Sequence, residues 1–323
     1  MSVSLYIAGC RKDGGIYHCL LSEDGKLRIA SVTPMDRPMF LAAQNDTLYA
    51  LLRNPYPDSP NSALCSFPIL ADGSLGEMSP LQSADGECAC HLTLWNGTPA
   101  CANYLSGSAK LFPDVTISHT GSGPNLPRQD APHTHCVLPT PDGAYLAVTD
   151  LGLDTVGLYR RDGSLHMEAH VPAGHGARHL VFSPDGSLLY CVNELASTIT
   201  VMTYQDGSLA VRGTYPVLPA GYHGRKNTAA AIRYHDGYLY VSNRGHNSIS
   251  VLRAVGDRLT LEQIADCGGD FPRDFDLFGN YFVVTNQFGN SVSVLEKNGH
   301  RIGRVTDVLY LPEPLCVIAS PKV

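Results

Sequence analysis

The residues able to do chemistry gather at recurring points along the chain. Arg128 and Gln129 precede a His-x-His pair, His133 and His135. Arg178 adjoins His179, Asn193 adjoins Glu194, Asn243 adjoins Arg244 and Asn286 adjoins Gln287, while His91, Asn103, Asp150 and Arg273 stand alone. A guanidinium presents a fork of donors that fits a carboxylate or a phosphate. Histidine and glutamate can move protons near neutral pH. The set therefore reads as an anion-binding site with acid–base capacity. Plainer roles compete with this reading: Asn193, Asn243 and Asn286 can cap turn backbone, His91 and His179 can be ordinary inner-strand residues, and Glu194 can be the salt-bridge partner of an arginine. Arg178 and Arg244 are harder to explain structurally, because arginine is costly to bury unless paired.

Other chemistries lack their signatures. There is no G-x-S-x-G elbow, P-loop, H-E-x-x-H or G-x-G-x-x-G. His133 and His135 lie on one side of a strand and could pair on a metal, but no carboxylate-rich partner set accompanies them. No metal or cofactor is expected. The net charge of −7 and a pI near 6.0 argue against a nucleic-acid surface and make a local cluster of Arg and His more informative. No run approaches the roughly 20 apolar residues of a membrane helix. The N-terminal MSVSLYIAGC has no basic region and no cleavage site. A cytoplasmic protein is therefore expected, with its ten cysteines as reduced thiols. Cys88 and Cys90 form a lone C-x-C and read as neighbours on one face of a strand.

The elements that must position these residues repeat. Residues 178–217 read RHLVF, SPDG, SLLYCVNEL, STITVMTYQ, DGSL, AVRGTYPV: four strands (A to D) separated by turns, with Asp-Gly favouring tight hairpins. Starts of A strands recur near Pro38, Cys90, His133, Arg178, Ala229, Pro272 and Pro314, at spacings of roughly 42 to 52 residues. B strands such as YLAVTD, LLYCVNE and YFVVTN are nearly continuous apolar runs, as expected when both faces are buried. C strands such as TVGLY and SISVL alternate, which suggests a wetter face near the rim. Four-stranded units of this length define a seven-bladed β-propeller, an all-β fold in one domain spanning residues 1–323. One tryptophan and no repeated Trp-Asp disfavour WD40. The first unit begins with a B strand, Leu5 to Gly9, and the chain ends with an orphan A strand, Leu315 to Ala319. The two ends should complete one blade and leave no exposed edge.

In a meandering blade the D–A and B–C connections emerge on one face. Starts of A strands supply His91, His133, His135, Arg178, His179 and Arg273 to that face. Ends of B strands supply Asn103, Asp150, Asn193, Glu194, Asn243, Arg244, Asn286 and Gln287, and the loop before His133 adds Arg128 and Gln129. All should converge on one mouth of the central channel.

At these residues the chain resembles the propeller-type 6-phosphogluconolactonase family. GSGPNLPRQDAPHTHCVLPTPDGAYLAVTDLGLDTVGLY, GARHLVFSPDGSLLYCVNELASTITVMTY, NTAAAIRYHDGYLYVSNRGHNSISVL and PRDFDLFGNYFVVTNQFGNSVSVLE carry the likeness. The resemblance implies hydrolysis of a sugar-derived δ-lactone, 6-phosphogluconolactone in the pentose phosphate pathway being the family's named substrate. It implies a small anionic sugar lactone as ligand, no membrane partner, and a monomer or weak homo-oligomer. The fungal carboxymuconate-lactonizing enzymes are more distant relatives. Their catalytic set is similar to His133 or His135, Arg178, Glu194 and Arg244 here, through H-x-H, G-A-R-H, N-E-L and S-N-R-G. Arg128, Gln129, His91, Asn103, Asp150, His179, Arg273 and Gln287 are then candidates for substrate binding. Ala231 stands where the family usually has an acidic residue, and Tyr222, His223, Arg225 and Lys226 nearby can add basic character. A muconate-type lyase and a non-catalytic propeller scaffold are the alternatives. The former would consume muconates, and the latter would bind a partner without turnover.

Overall fold

Short apolar strands joined by Gly- and Asp-rich turns cannot bury their faces alone, so they stack. The computed structural model, which describes residues 2–222, 224 and 226–321, shows the result. Seven four-stranded antiparallel sheets stand in a ring, each ordered from the innermost strand to the outermost. The innermost strands are Pro38–Gln44, Ala89–Trp95, Thr134–Pro139, Ala177–Phe182, Thr228–His235, Pro272–Phe278 and Pro314–Ala319. Each packs against the next, and the last returns to the first. Ring closure is as expected: Pro314–Ala319 pairs with Val3–Gly9, from Leu5 opposite Ala319 to Gly9 opposite Pro314.

The second strands are sealed on both faces. Leu188–Asn193 and Tyr281–Asn286 are buried throughout except at their first residue. The third strands depart from expectation. Thr155–Tyr159 and the first five residues of Ser248–Val255 are buried on both faces, and the wetter alternation belongs to the outermost strands, such as Leu27–Pro34. The alternating serines and threonines are polar for an internal reason. Asn243 Nδ2 donates to Ser248 and Ser250, Asn193 Nδ2 to Thr198 and Thr200, and Asn286 Nδ2 to Ser293. Ser250 and Ser293 then donate to the carbonyls of Val217 and Cys267. The strand-end asparagines thus bind hydroxyls of the adjacent strand rather than turn backbone.

One irregularity recurs in every sheet. Near its start, each innermost strand slips by a residue against its neighbour. The residues left out of register are Met39, Cys90, His135, Arg178, Arg273 and Leu315, with Ala230 and Ala231 sharing the slip in Thr228–His235. A bulge bends a strand and re-aims a side chain. Here seven bulges line one end of the channel. Hydroxyls of the second strands hold several of them: Thr149 Oγ1 accepts the Cys136 amide and donates to the Arg178 carbonyl, and Ser242 Oγ accepts the Ala231 amide.

Candidate functional site

Glu194 follows directly on strand Leu188–Asn193, and its amide donates to the Gly176 carbonyl. Its buried carboxylate accepts from three arginines of three different elements. Arg128 Nη2 lies 2.6 Å from Oε1, Arg178 Nε 2.9 Å from Oε2 and Arg244 Nη2 2.7 Å from Oε2. Burial would raise the carboxyl's pKa, but Arg244, Arg178, His135 and Arg128 outweigh it and hold the group well below its ordinary value. The anionic group that Arg178 and Arg244 both face is thus the protein's own.

The three arginines differ in exposure. Arg178 is a bulge residue sunk beneath Glu194, with a side chain 1% exposed, and it does not line the cleft. Burial, with Arg244 beside it, pushes its pKa down to about 9, so it stays protonated at neutral pH. This corrects the expectation that it meets ligand directly: its role in this geometry is to hold Glu194. Arg244 and Arg128 do line the cleft; Arg244 lies over the Phe271 ring at 5.2 Å and Arg128 donates to the Tyr104 hydroxyl. Arg273, another bulge residue, lines the same cleft. Its Nη1 donates a 3.4 Å hydrogen bond to Gln287 Oε1, and no carboxylate among the described residues pairs with it. Four guanidiniums against one carboxylate leave three positive charges in the mouth of an acidic protein.

His135 is the histidine that faces this cleft. Its Nδ1 is buried without a hydrogen-bond partner, and burial together with Arg178 pushes its pKa well below the usual value. The ring is therefore neutral, with one nitrogen carrying a free lone pair, and the same burial and arginine weaken it as a base. His133 instead stacks on Tyr104 at 4.5 Å, with Nδ1 3.0 Å from the Tyr104 carbonyl, and does not line the cleft. Deeper in the channel His91 meets His179 at 5.0 Å and His179 meets His135 at 5.2 Å. Burial pushes His91 down to about 3 and His179 well below the usual value.

Other candidates serve the scaffold. Asn103 donates to the Ala84 carbonyl and to Ser108, and Gln129 clasps its loop through Leu151 and Asn125. Asp150 accepts the amides of His133, Gly152 and Leu153 and pairs with His119. All three are fully buried and none lines the mouth, so their expected contact with substrate is corrected. Ala231 is one of the two residues that share the bulge of its strand, fully buried, with its amide on Ser242 Oγ. Lys226 lines the outer cleft, whereas His223 and Arg225 lie outside the described residues.

Cys88, Cys90, Tyr104, Thr228, Phe271 and Phe288 line the cleft without having been singled out as site residues. Cys88 does not share a strand face with Cys90. It precedes strand Ala89–Trp95 with φ 55°, and both cysteines line the cleft. The aromatics carried no repeat signal. The cleft has an inner lobe of about 290 Å³ and an outer lobe of about 470 Å³, which share Arg128, Glu194, Arg244 and Arg273. Among the described residues no three His, Cys, Asp or Glu converge as metal ligands.

A closed ring of seven four-stranded sheets with a cationic cleft lined by Arg128, Arg244 and Arg273 is the architecture of a seven-bladed β-propeller. The chain belongs to the lactonase family of seven-bladed β-propellers, whose pattern it matches over residues 4–319. It is similar to a protein from Lactobacillus plantarum, with 30% identity, a TM-score of 0.89, and coverage of 98% of this chain and 99% of the other. A Bacteroides fragilis protein assigned as a 6-phosphogluconolactonase shares 26% identity with a TM-score of 0.87, over 98% and 97% of the two chains. A periplasmic gluconolactonase from Pseudomonas aeruginosa has the same fold, with 22% identity, a TM-score of 0.90, and coverage of 98% and 99%.

Proposed function

We propose that this lactonase-family protein hydrolyses an anionic sugar δ-lactone, with 6-phosphogluconolactone as the first substrate to try. The observation that carries the reading is the pairing of a neutral, cleft-facing His135 with Arg244 and Arg273 beside it. A water attacks the lactone carbonyl as His135 takes its proton. The oxyanion forms against Arg244, a preorganised cation in a partly desolvated site. The ring C–O bond then breaks, and the leaving ring oxygen takes the proton back from the imidazolium. The product is the open-chain acid, which releases the remaining proton of the water to solvent and leaves as the carboxylate. Both Glu194 oxygens are taken by arginines, whereas His135 Nδ1 has no partner, so the part of Glu194 is to fix Arg128 and Arg244. Arg273 is the ligand for the substrate's distal anion, with Lys226 and Gln287 near it. A cytoplasmic setting and a place in sugar-phosphate oxidation belong to the same proposal.

Purified protein should open 6-phosphogluconolactone faster than the spontaneous rate in the presence of EDTA. Response to unphosphorylated aldonolactones alone would overturn the phosphate assignment. Ultraviolet absorbance loss on carboxymuconates, with no lactone opened, would replace hydrolysis with cyclisation.

A further inference from the structure

The outer lobe has a feature that binding a phosphate does not require. Phe271 and Phe288 stack face to face, with ring centroids 4.1 Å apart and planes 26° apart. Phe288 is 58% exposed, an unusual position for a phenylalanine with no partner over its outer face. Phe271 has φ 65°, a left-handed conformation that is an outlier for a bulky residue. Its backbone is pinned on both sides, since its amide donates to Asn247 Oδ1 and its carbonyl accepts the Gln287 amide. Arg244, tied to Glu194, lies over the Phe271 ring. Phe271 is thus covered by Phe288 and by Arg244, and the aromatic face left open is that of Phe288, in the lobe that shares Arg244 with the reacting centre.

The lobes differ in what they suit. The inner lobe, about 290 Å³, matches one sugar ring by size and polar lining, with Tyr104, His135 and Glu194 around it. The outer lobe is larger and combines the stack with Lys226, Arg273 and Gln287. Flat aromatic faces bind the apolar C–H face of a pyranose, and flanking polar groups take its hydroxyls. We infer that the Phe271–Phe288 stack is a subsite for a second sugar ring, so that the cleft also accepts lactones of disaccharide aldonic acids beside the anionic single-ring lactone. Resting on the lactonase reading, this names a wider substrate class for the same cleft.

The test compares cellobiono-δ-lactone, glucono-δ-lactone and 6-phosphogluconolactone on the wild type and on Phe288→Ala. Wild type should prefer the two-ring lactone over glucono-δ-lactone in kcat/KM. Phe288→Ala should lower kcat/KM for cellobiono-δ-lactone by about tenfold, mostly through KM, and leave the single-ring lactones within about twofold. An equal loss on all three, or no preference in the wild type, overturns the subsite while lactonase activity stands. If no lactone is opened, the hydrolytic reading fails separately. Calorimetry with cellobionate then decides the subsite: binding by wild type that Phe288→Ala weakens supports it, and equal binding or none overturns it.

Discussion

At the scale of single residues, the decisive one is Glu194. Three guanidiniums converge on it, so its substitution leaves Arg178 and Arg244 buried without their counter-ion. Breaking a buried pair costs about 3–5 kcal/mol. Glu194→Gln should therefore lower both binding and turnover and reduce the melting temperature by several degrees. A 10²-fold fall in kcat with unchanged KM and unchanged melting would instead make Glu194 the base. His135→Asn should show the pattern that Glu194→Gln does not: kcat down about 10²-fold, KM little changed and melting preserved. The channel histidines predict an acid response. Folded, His91, His135 and His179 have pKa values depressed below the 6.5 they would have when unfolded. Below that pH the unfolded chain binds more protons, so stability is full above 6.5 and falls as acid is added, by up to about 1.4 kcal/mol per pH unit for each ring. Melting temperature should be level from about pH 7 upward and drop steeply below pH 6.5, and His91→Gln should flatten the drop. An unchanged slope in that variant would sink the assignment.

At the scale of elements, the strands were legible and their register was not. Apolar B runs, Asp-Gly turns and the spacing of A-strand starts are local signals, so the seven sheets and most strand bounds follow from them. The alternation in SISVL was read as exposure because polarity in a strand usually means solvent. Here Ser250 is buried and donates to the Val217 carbonyl, a partner 33 residues away. The bulges were invisible for a similar reason, since a one-residue slip depends on which strand lies opposite. They decide which A-strand residues are re-aimed at the mouth, and so why His135 faces the cleft while His133 does not. Repeat position was enough to bring Glu194, Arg244 and Arg273 together, and the loop before His133 added Arg128. It could not show that Arg178 lies beneath the carboxylate, or that Asn103, Gln129 and Asp150 are taken up by backbone. Thr149 tests the bulge device, because its buried hydroxyl both accepts from Cys136 and donates to Arg178. Thr149→Val leaves both groups unsatisfied and should cost about 1–3 kcal/mol. Activity should fall more than stability alone explains, measured well below the melting point. Wild-type kinetics in Thr149→Val would separate the bulges from the site.

At the scale of the whole molecule, no helix of the described residues is long and apolar enough to cross a membrane. Cell fractionation would place the protein, and a periplasmic pool would overturn the cytoplasmic part of the proposal. The ring itself depends on one pairing distant in sequence. Removing residues 314–323 takes away the innermost strand of a sheet and uncovers Leu5, Ile7 and Cys19, which pack with Val317. Insolubility or a large drop in melting temperature is expected, and a soluble truncation with unchanged melting would refute the shared blade.

That pairing also sets an order of events in the cell. The strand Pro314–Ala319 is the last of the ring to be synthesised, and the strand it must join, Val3–Gly9, is among the first. At translation speeds of about 5–20 residues per second, the early strand waits on the order of tens of seconds with its inner edge unpaired. Six sheets can assemble on the ribosome, but the circle stays open until Pro314–Ala319 has been made. A nascent chain stalled before that strand would present a sticky edge rather than a slightly weakened fold. The protein is thus exposed to chaperone capture or to pairing with a neighbouring nascent chain, and swapped closing strands between copies are the misfolded form its geometry favours.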